Sequence, residues 1–188
     1  MDYTRLPLRS VQDALAGDAR ETAEAFGALD VHRLNWRPDE TRWSVGQCFD
    51  HLVTANRLMR LAADNALTGR SGTFWTRVPL LPRVCGPALI RSQAPAVTRT
   101  FTAPPAARPA ASDLAMDVIP LFVRQQEDLV GWIGGVNEDA AARAIMQSPF
   151  LSFVVYSVLD GCRLMASHNR RHLEQARRVT QSPGFPAA

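Results

Sequence analysis

Apolar residues return every three or four positions along four long stretches of this chain, a spacing that admits little besides helices packed on helices. The first stretch opens on a capping signal, Ser10 with Asp13, and runs through Val11, Leu15, Ala19, Thr22, Phe26 and Leu29 to about Val31. The second has the clearest start. Ser44 as N-cap and Gln47 at the third helical position make a capping box, while Trp43 and Cys48 are spaced for a hydrophobic staple. Cys48, Leu52, Ala55, Met59 and Ala62 then form a stripe that ends near Gly69. The third stretch is expected from Ser112 to Ile133, with Pro120 as a kink or a first turn and Gly134-Gly135 as the stop. The fourth is expected to begin at Ser148-Pro149, a favourable N-cap and first-position pair, and to reach Thr180. Its inward stripe reads Leu151, Val154, Val158, Cys162, Met165, His168, His172, Gln175 and Val179. With no strand-like alternation anywhere, the expected fold is all-α: one four-helix bundle spanning residues 1–188.

Between the second and third stretches the pattern changes. Residues 70–112 hold seven of the 13 prolines, a density that rules out one long helix, although Cys85 to Gln93 has room for a short one. Phe74, Trp75, Leu80, Leu81, Leu89, Ile90 and Phe101 make the segment too apolar for a disordered linker. The reading is an ordered connection folded over the bundle, and long ordered connections are often functional.

Composition narrows the function classes. The chain is 46% hydrophobic and 21% charged, ordinary for a globular protein, and no apolar run has membrane-spanning length. The first ten residues carry Asp2, Arg5 and Arg9 and no apolar signal core, so a cytoplasmic location is expected. All 21 basic residues are arginine, which removes lysine Schiff-base chemistry and the phosphate-binding lysine of a P-loop. The arginines are scattered among carboxylates, without a basic stripe or aromatic platform, so nucleic acid is not an expected partner. Arg57, Arg163 and Arg171 are candidates for holding an anionic substrate group, with surface solvation the simpler reading. Cys48, Cys85 and Cys162 are far apart and odd in number, which fits reduced thiols rather than a disulfide framework.

The chemistry points to the histidines. His168 and His172 are four apart in the fourth stretch, so both imidazoles lie on one helical face and can converge on one ion. His51 sits at the edge of the inward stripe of the second stretch, and three inward histidines on two long helices fit a metal site built from facing helices. His32 reads as a surface or capping residue. Asn169 follows His168, so the general-base glutamate of a zincin HExxH is missing, and Glu174 falls elsewhere on the helix. Three neutral imidazoles leave a divalent ion with open positions, which suit activation of a water or binding of a thiolate. Cys48, three residues before His51, is a further ligand candidate, although the staple already accounts for it.

Two segments carry a family resemblance. Asn35-Trp36-Arg37-Pro38 leads into Trp43-Ser44-Val45-Gly46-Gln47 and Asp50-His51-Leu52; the second segment is Ser167-His168-Asn169-Arg170-Arg171-His172-Leu173-Glu174-Gln175. Together these resemble the DinB/YfiT-like superfamily over essentially the whole chain. The resemblance implies a bundle with a long crossover connection and one divalent metal, zinc or nickel, held by His51, His168 and His172. It implies a metal-dependent S-transferase or isomerase that uses a low-molecular-weight thiol. Gln175, Gln47 and Cys48 are then candidates for supporting the ligands or touching a small-molecule substrate. Hydrolysis by an activated water is the second enzymatic reading. The rival class is a non-catalytic binding or stress-response bundle whose histidines are structural. Dimerisation is open to such bundles.

Overall fold

The computed structural model describes residues 1–70, 72–78, 80–94, 103–109 and 114–187. In chain order the elements are α1 (Leu8–Phe26), α2 (Val31–Asn35), α3 (Val45–Leu67), α4 (Leu81–Ser92), α5 (Val118–Gly134), α6 (Glu138–Arg143), β1 (Ile145–Gln147), β2 (Val155–Ser157) and α7 (Val158–Thr180). The protein is therefore mainly helical, with one small two-stranded sheet. The four long helices each pack on two others: α1 lies against α5 and α7, and α3 lies against the same two.

The apolar stripes bury two clusters. One gathers Val11, Leu15, Leu129, Ile133, Tyr156 and Met165; the other gathers Phe26, Phe49, Leu52, Phe122, Leu173 and Val179. A polar layer falls between them. Along each long helix a buried polar residue separates members of the two clusters: Asp18 on α1, Asn56 on α3, Gln126 on α5 and Asn169 on α7. Asn56 donates to Asn169 Oδ1 at 3.1 Å, and Asn169 donates to Gln126 Oε1 at 2.8 Å, so three helices share one hydrogen-bonded chain.

Several boundaries differ from the sequence reading, each for a local reason. The capping box at Ser44 and Gln47 forms as expected. α1, however, starts two residues before Ser10, behind Pro7, and its first free amide is met by the Glu138 carboxylate, which accepts from Leu8 N at 2.9 Å. A tertiary cap has replaced the local one. α1 also stops at Phe26, and Asp30 caps the separate helix α2 by accepting from Arg33 N. The expected start of the third stretch at Ser112 lies outside the described residues. α5 runs from Val118, with Pro120 in its first turn, where a missing N–H costs nothing.

The largest correction concerns Ser148-Pro149, which does not open a helix. β1 and β2 pair antiparallel there, Met146 opposite Tyr156, and the β-branched and aromatic run Val154-Val155-Tyr156 favours an extended chain. α7 begins only at Val158, with Ser157 as N-cap accepting from Asp160 N. Leu151, expected inside, is 43% exposed.

In the proline-rich connection the expected short helix is present as α4, with Pro82 in its first turn and Pro87 inside it. It packs on β2 and α7, burying Ile90. Gly86 is the point of closest approach: a Cβ there would collide with the Asp160 carboxylate. No helix among the described residues is long and apolar enough to cross a membrane.

Candidate metal centre

Three imidazoles meet where α3 faces α7. His51 comes from the second turn of α3, whose phase is set by the Ser44 cap; His168 and His172 are successive turns of one face of α7. Their Nε2 atoms converge: His168 Nε2 lies 3.2 Å from that of His51 and 3.1 Å from that of His172. The ring centroids are 4.6–5.0 Å apart. Among the described residues this is the one group of His, Cys, Asp or Glu side chains whose donor atoms close to metal-binding separation.

The surroundings prepare these nitrogens as ligands. His51 directs Nδ1–H to the backbone carbonyl of Ala107, which leaves Nε2 with its lone pair facing the other two rings. Burial lowers the pKa of His51, carries that of His168 down to about 3 with help from His51 and Arg171, and holds that of His172 well below its usual range. All three rings are thus neutral at physiological pH, the state a metal requires. Trp43 stacks on His172 at 5.6 Å and 18° and tilts against His51 at 5.1 Å, walling one side of the cluster.

A divalent ion fits this donor set. Tetrahedral zinc with Zn–N bonds of about 2.0–2.1 Å places its ligand nitrogens roughly 3.3 Å apart, close to the spacing found here. His172 Nδ1 is buried without a hydrogen-bond partner, although Gln175 approaches the ring and favours its charged form.

The sequence of this site can be compared with known proteins. The profile of the DinB superfamily matches residues 14–176, a span that takes in all three histidines. The chain belongs to the DinB superfamily. No curated protein and no solved structure matches it.

The DinB fold here opens the three rings onto a cavity of about 1140 Å³, lined also by Trp43, Met59, Tyr156, Met165 and Gln175. The proline-rich connection supplies one wall through Leu89, Ser92, Pro104 and Ala107. The other sequence candidates fall in different places. Gln47 is buried as the second half of the capping box, its Oε1 accepting from Ser44 N at 3.1 Å. Cys48 is packed in the apolar cluster with Phe26 and Phe49, outside the converging group, and burial pushes its thiol up to about 12. Gln175 lines the cavity. Arg163 is committed to Asp160 and to the Leu6 carbonyl, and Glu174 to Arg170 and Arg177; of the three arginines singled out, Arg171 alone lines the cavity. His32 is exposed on α2.

Three contributors were missed from the sequence. The Ala107 carbonyl carries no side-chain signal. Trp43 was accounted for as a staple, yet its ring is turned on the histidines. Asn56 sits on the cavity wall and ties it to Asn169, the neighbour of His168. Its signal was a lone amide interrupting the apolar stripe between Leu52 and Met59.

Proposed function

We propose that the protein is a metal-dependent enzyme on a four-helix bundle of DinB/YfiT type, with His51, His168 and His172 holding one zinc or nickel ion and a low-molecular-weight thiol as co-substrate. The observation that carries this reading is the convergence of three neutral, lone-pair-bearing imidazoles on a large cavity, with no fourth protein ligand among the described residues. When bound, the ion would act as a Lewis acid and lower the pKa of an incoming thiol or water.

The chain's own residues favour the thiol. Activating a water calls for a general base, and no carboxylate is among the described residues lining the cavity. Nor do the chain's cysteines supply the thiol: none of the three lines the cavity, and Cys48 and Cys162 are buried, with desolvation pushing both up to about 12. The nucleophile in this reading enters from solution. Met59, Met165 and Tyr156 give it an apolar floor, and Trp43 keeps water from one side of the rings.

The test is elemental mass spectrometry on protein purified without a histidine tag, alongside His51→Ala and His172→Ala. About one zinc or nickel per chain, lost in both variants, is the expected result. Transfer to small electrophiles is then followed with a panel of low-molecular-weight thiols. A wild type that neither carries metal nor takes it up on reconstitution overturns the proposal.

A further inference from the structure

The proline-rich connection has a charge pattern of its own. Between Asp64 and Asp113 the sequence holds six arginines and no aspartate or glutamate, so in a chain of net charge +3 the remainder is net negative. Between Arg143 and Asp160, the stretch that forms β1, β2 and the loop joining them, there is no charged residue at all. The two stretches meet in the fold: the helical turn Phe74–Arg77 packs on both strands, and α4 packs on β2.

What these elements show to solvent is apolar. Phe74, Trp75, Leu80, Val84, Leu151 and Phe153 are 40–73% exposed, and they make up more than half of the large apolar side chains that the described residues leave in solvent. Single exposed apolar residues need no explanation, but a group gathered on touching elements does. α4 shows the pattern most clearly. Its inner face buries Gly86 and Ile90, while Leu80, Val84, Ala88 and Arg91 follow at spacings of three and four on the outside, where a helix in water ordinarily carries polar residues. Leu80 is also the one non-glycine among the described residues at positive φ, +67°. That backbone is strained for a branched side chain, and with its side chain 65% exposed, packing gives no reason to keep leucine there. The only charges beside this face are positive. Arg77 ends the turn that holds Phe74 and Trp75, Arg83 precedes Val84, and both are exposed without an ion pair among the described residues.

We propose that this face seats the protein on an anionic lipid surface. Phe74, Leu80, Val84 and Phe153 enter the boundary between headgroups and acyl chains, Trp75 sits at headgroup level, and Arg77 and Arg83 meet the lipid phosphates. This is a seat on the bilayer, which requires no spanning helix. Charge argues against a second copy as the occupant: two-fold pairing would set Arg77 and Arg83 against their own mates with no carboxylate between them. Ring geometry argues against nucleic acid, because Phe74 and Trp75 meet edge to face, with centroids 5.3 Å apart at 76°, and offer no parallel pair of faces to successive bases. Leu151 belongs both to this face and to the wall of the histidine cavity, so the seat borders the cavity. The seat itself does not depend on a metal.

The experiment is co-sedimentation of the full chain with phosphatidylcholine vesicles, with and without about 30% phosphatidylglycerol. The protein is expected to pellet with the anionic vesicles only, and to be released as salt rises from about 0.1 M to about 1 M. Arg77→Gln with Arg83→Gln is expected to weaken binding about tenfold or more, as is Phe74→Ser with Val84→Ser. Leu80→Gly separates binding from folding, since it relieves the backbone: its Tm is expected to equal or exceed that of the wild type while its vesicle affinity falls. Failure to pellet with anionic vesicles, equal pelleting with neutral ones, or unchanged affinity in the two double variants overturns the seat. So does a wild-type dimer that Phe74→Ser with Val84→Ser makes monomeric, which gives the face to a second copy. Binding of single-stranded RNA in place of vesicles, lost in the same variants, overturns it in favour of nucleic acid.

Discussion

Replacing His168 with leucine separates a metal ligand from a core histidine by the direction of its effect. Without an ion the three rings cannot all be satisfied. His51 spends its one N–H on Ala107, so its Nε2 is an acceptor. His168 Nε2 faces both that atom, at 3.2 Å, and His172 Nε2, at 3.1 Å, and one neutral nitrogen cannot donate to the first while accepting from the second. At least one contact is left without a straight hydrogen bond, at a cost of roughly 1–3 kcal/mol for a buried polar group. His172 Nδ1 adds a second unsatisfied atom. In chelator, His168→Leu is therefore expected to be as stable as the wild type within about 1 kcal/mol, or more stable. In zinc the order reverses. An ion at a thousandfold excess over its Kd stabilises the wild type by about 4 kcal/mol. For a chain of 188 residues, at about 2–4 °C per kcal/mol, this raises Tm by roughly 8–16 °C. The variant, with two imidazoles left, is expected to lose nearly all of that gain. Thermal melts of both proteins in chelator and in zinc supply the four numbers. A wild-type Tm that ignores zinc, or a variant that melts many degrees lower in chelator, would refute the reasoning and make His168 a packing residue.

Two further outcomes follow from groups away from the three histidines. Asp18 is buried on α1, its Oδ2 has no partner, and burial outweighs Arg170 to raise its pKa from 3.8 to about 7. Because the folded-state value lies above the unfolded one, the ionised carboxylate penalises the fold. The contribution of Asp18 to stability is fully present below about pH 4 and is lost as pH rises through 7, by an amount on the order of 4 kcal/mol. Asp18→Asn is thus expected to be more stable than the wild type at pH 8 and to lose that advantage by pH 4; urea melts showing a gap that does not change with pH would contradict it. Gly86→Ala, whose added methyl meets Asp160, is expected to cost about 1–3 kcal/mol and to lift α4 from α7. Hydrogen exchange over 81–92 should then rise while that of α3 and α5 stays slow; unchanged protection of α4 would show that α7 yields instead.

The three converging histidines were legible because two short-range rules fix their directions. The Ser44 and Gln47 capping box sets where α3 begins and hence which way His51 faces; the spacing of four puts His168 and His172 on one side of α7. Long helical stripes such as that of α3 were legible for the same reason. Where the deciding partner is distant in sequence, the local pattern misleads. The cap of α1 comes from Glu138, 130 residues away, so Ser10 looked like a start and is not. Val154, Val155 and Tyr156 fit a helical stripe and a strand equally well, and only pairing with β1 decides for the strand. Cys48 illustrates the opposite limit: its spacing from His51 allows a shared cavity, but the apolar cluster around Phe49 takes it.

What orients the three histidines is as informative as the histidines themselves. α7 is locked from one side by Asn169, whose amide joins Asn56 and Gln126 in the interior, and the rings are locked from the other by the Ala107 carbonyl and the face of Trp43. These are costly devices. Gln126 Nε2 remains buried without a partner, and three amides occupy space that leucines would fill at lower free energy. A histidine cluster needed only for packing would not require its nitrogens to face one another at 3.1–3.2 Å, since neutral imidazoles so placed cannot satisfy both contacts with hydrogen bonds. The fold accepts poorly satisfied nitrogens in the rings and polarity beneath them, and a single divalent cation would relieve the first by taking all three lone pairs at once. Because the second support is made of backbone from the proline-rich connection, that connection belongs to the site as much as α3 and α7 do: it orients His51 through Ala107 and anchors Arg171 through Ser92.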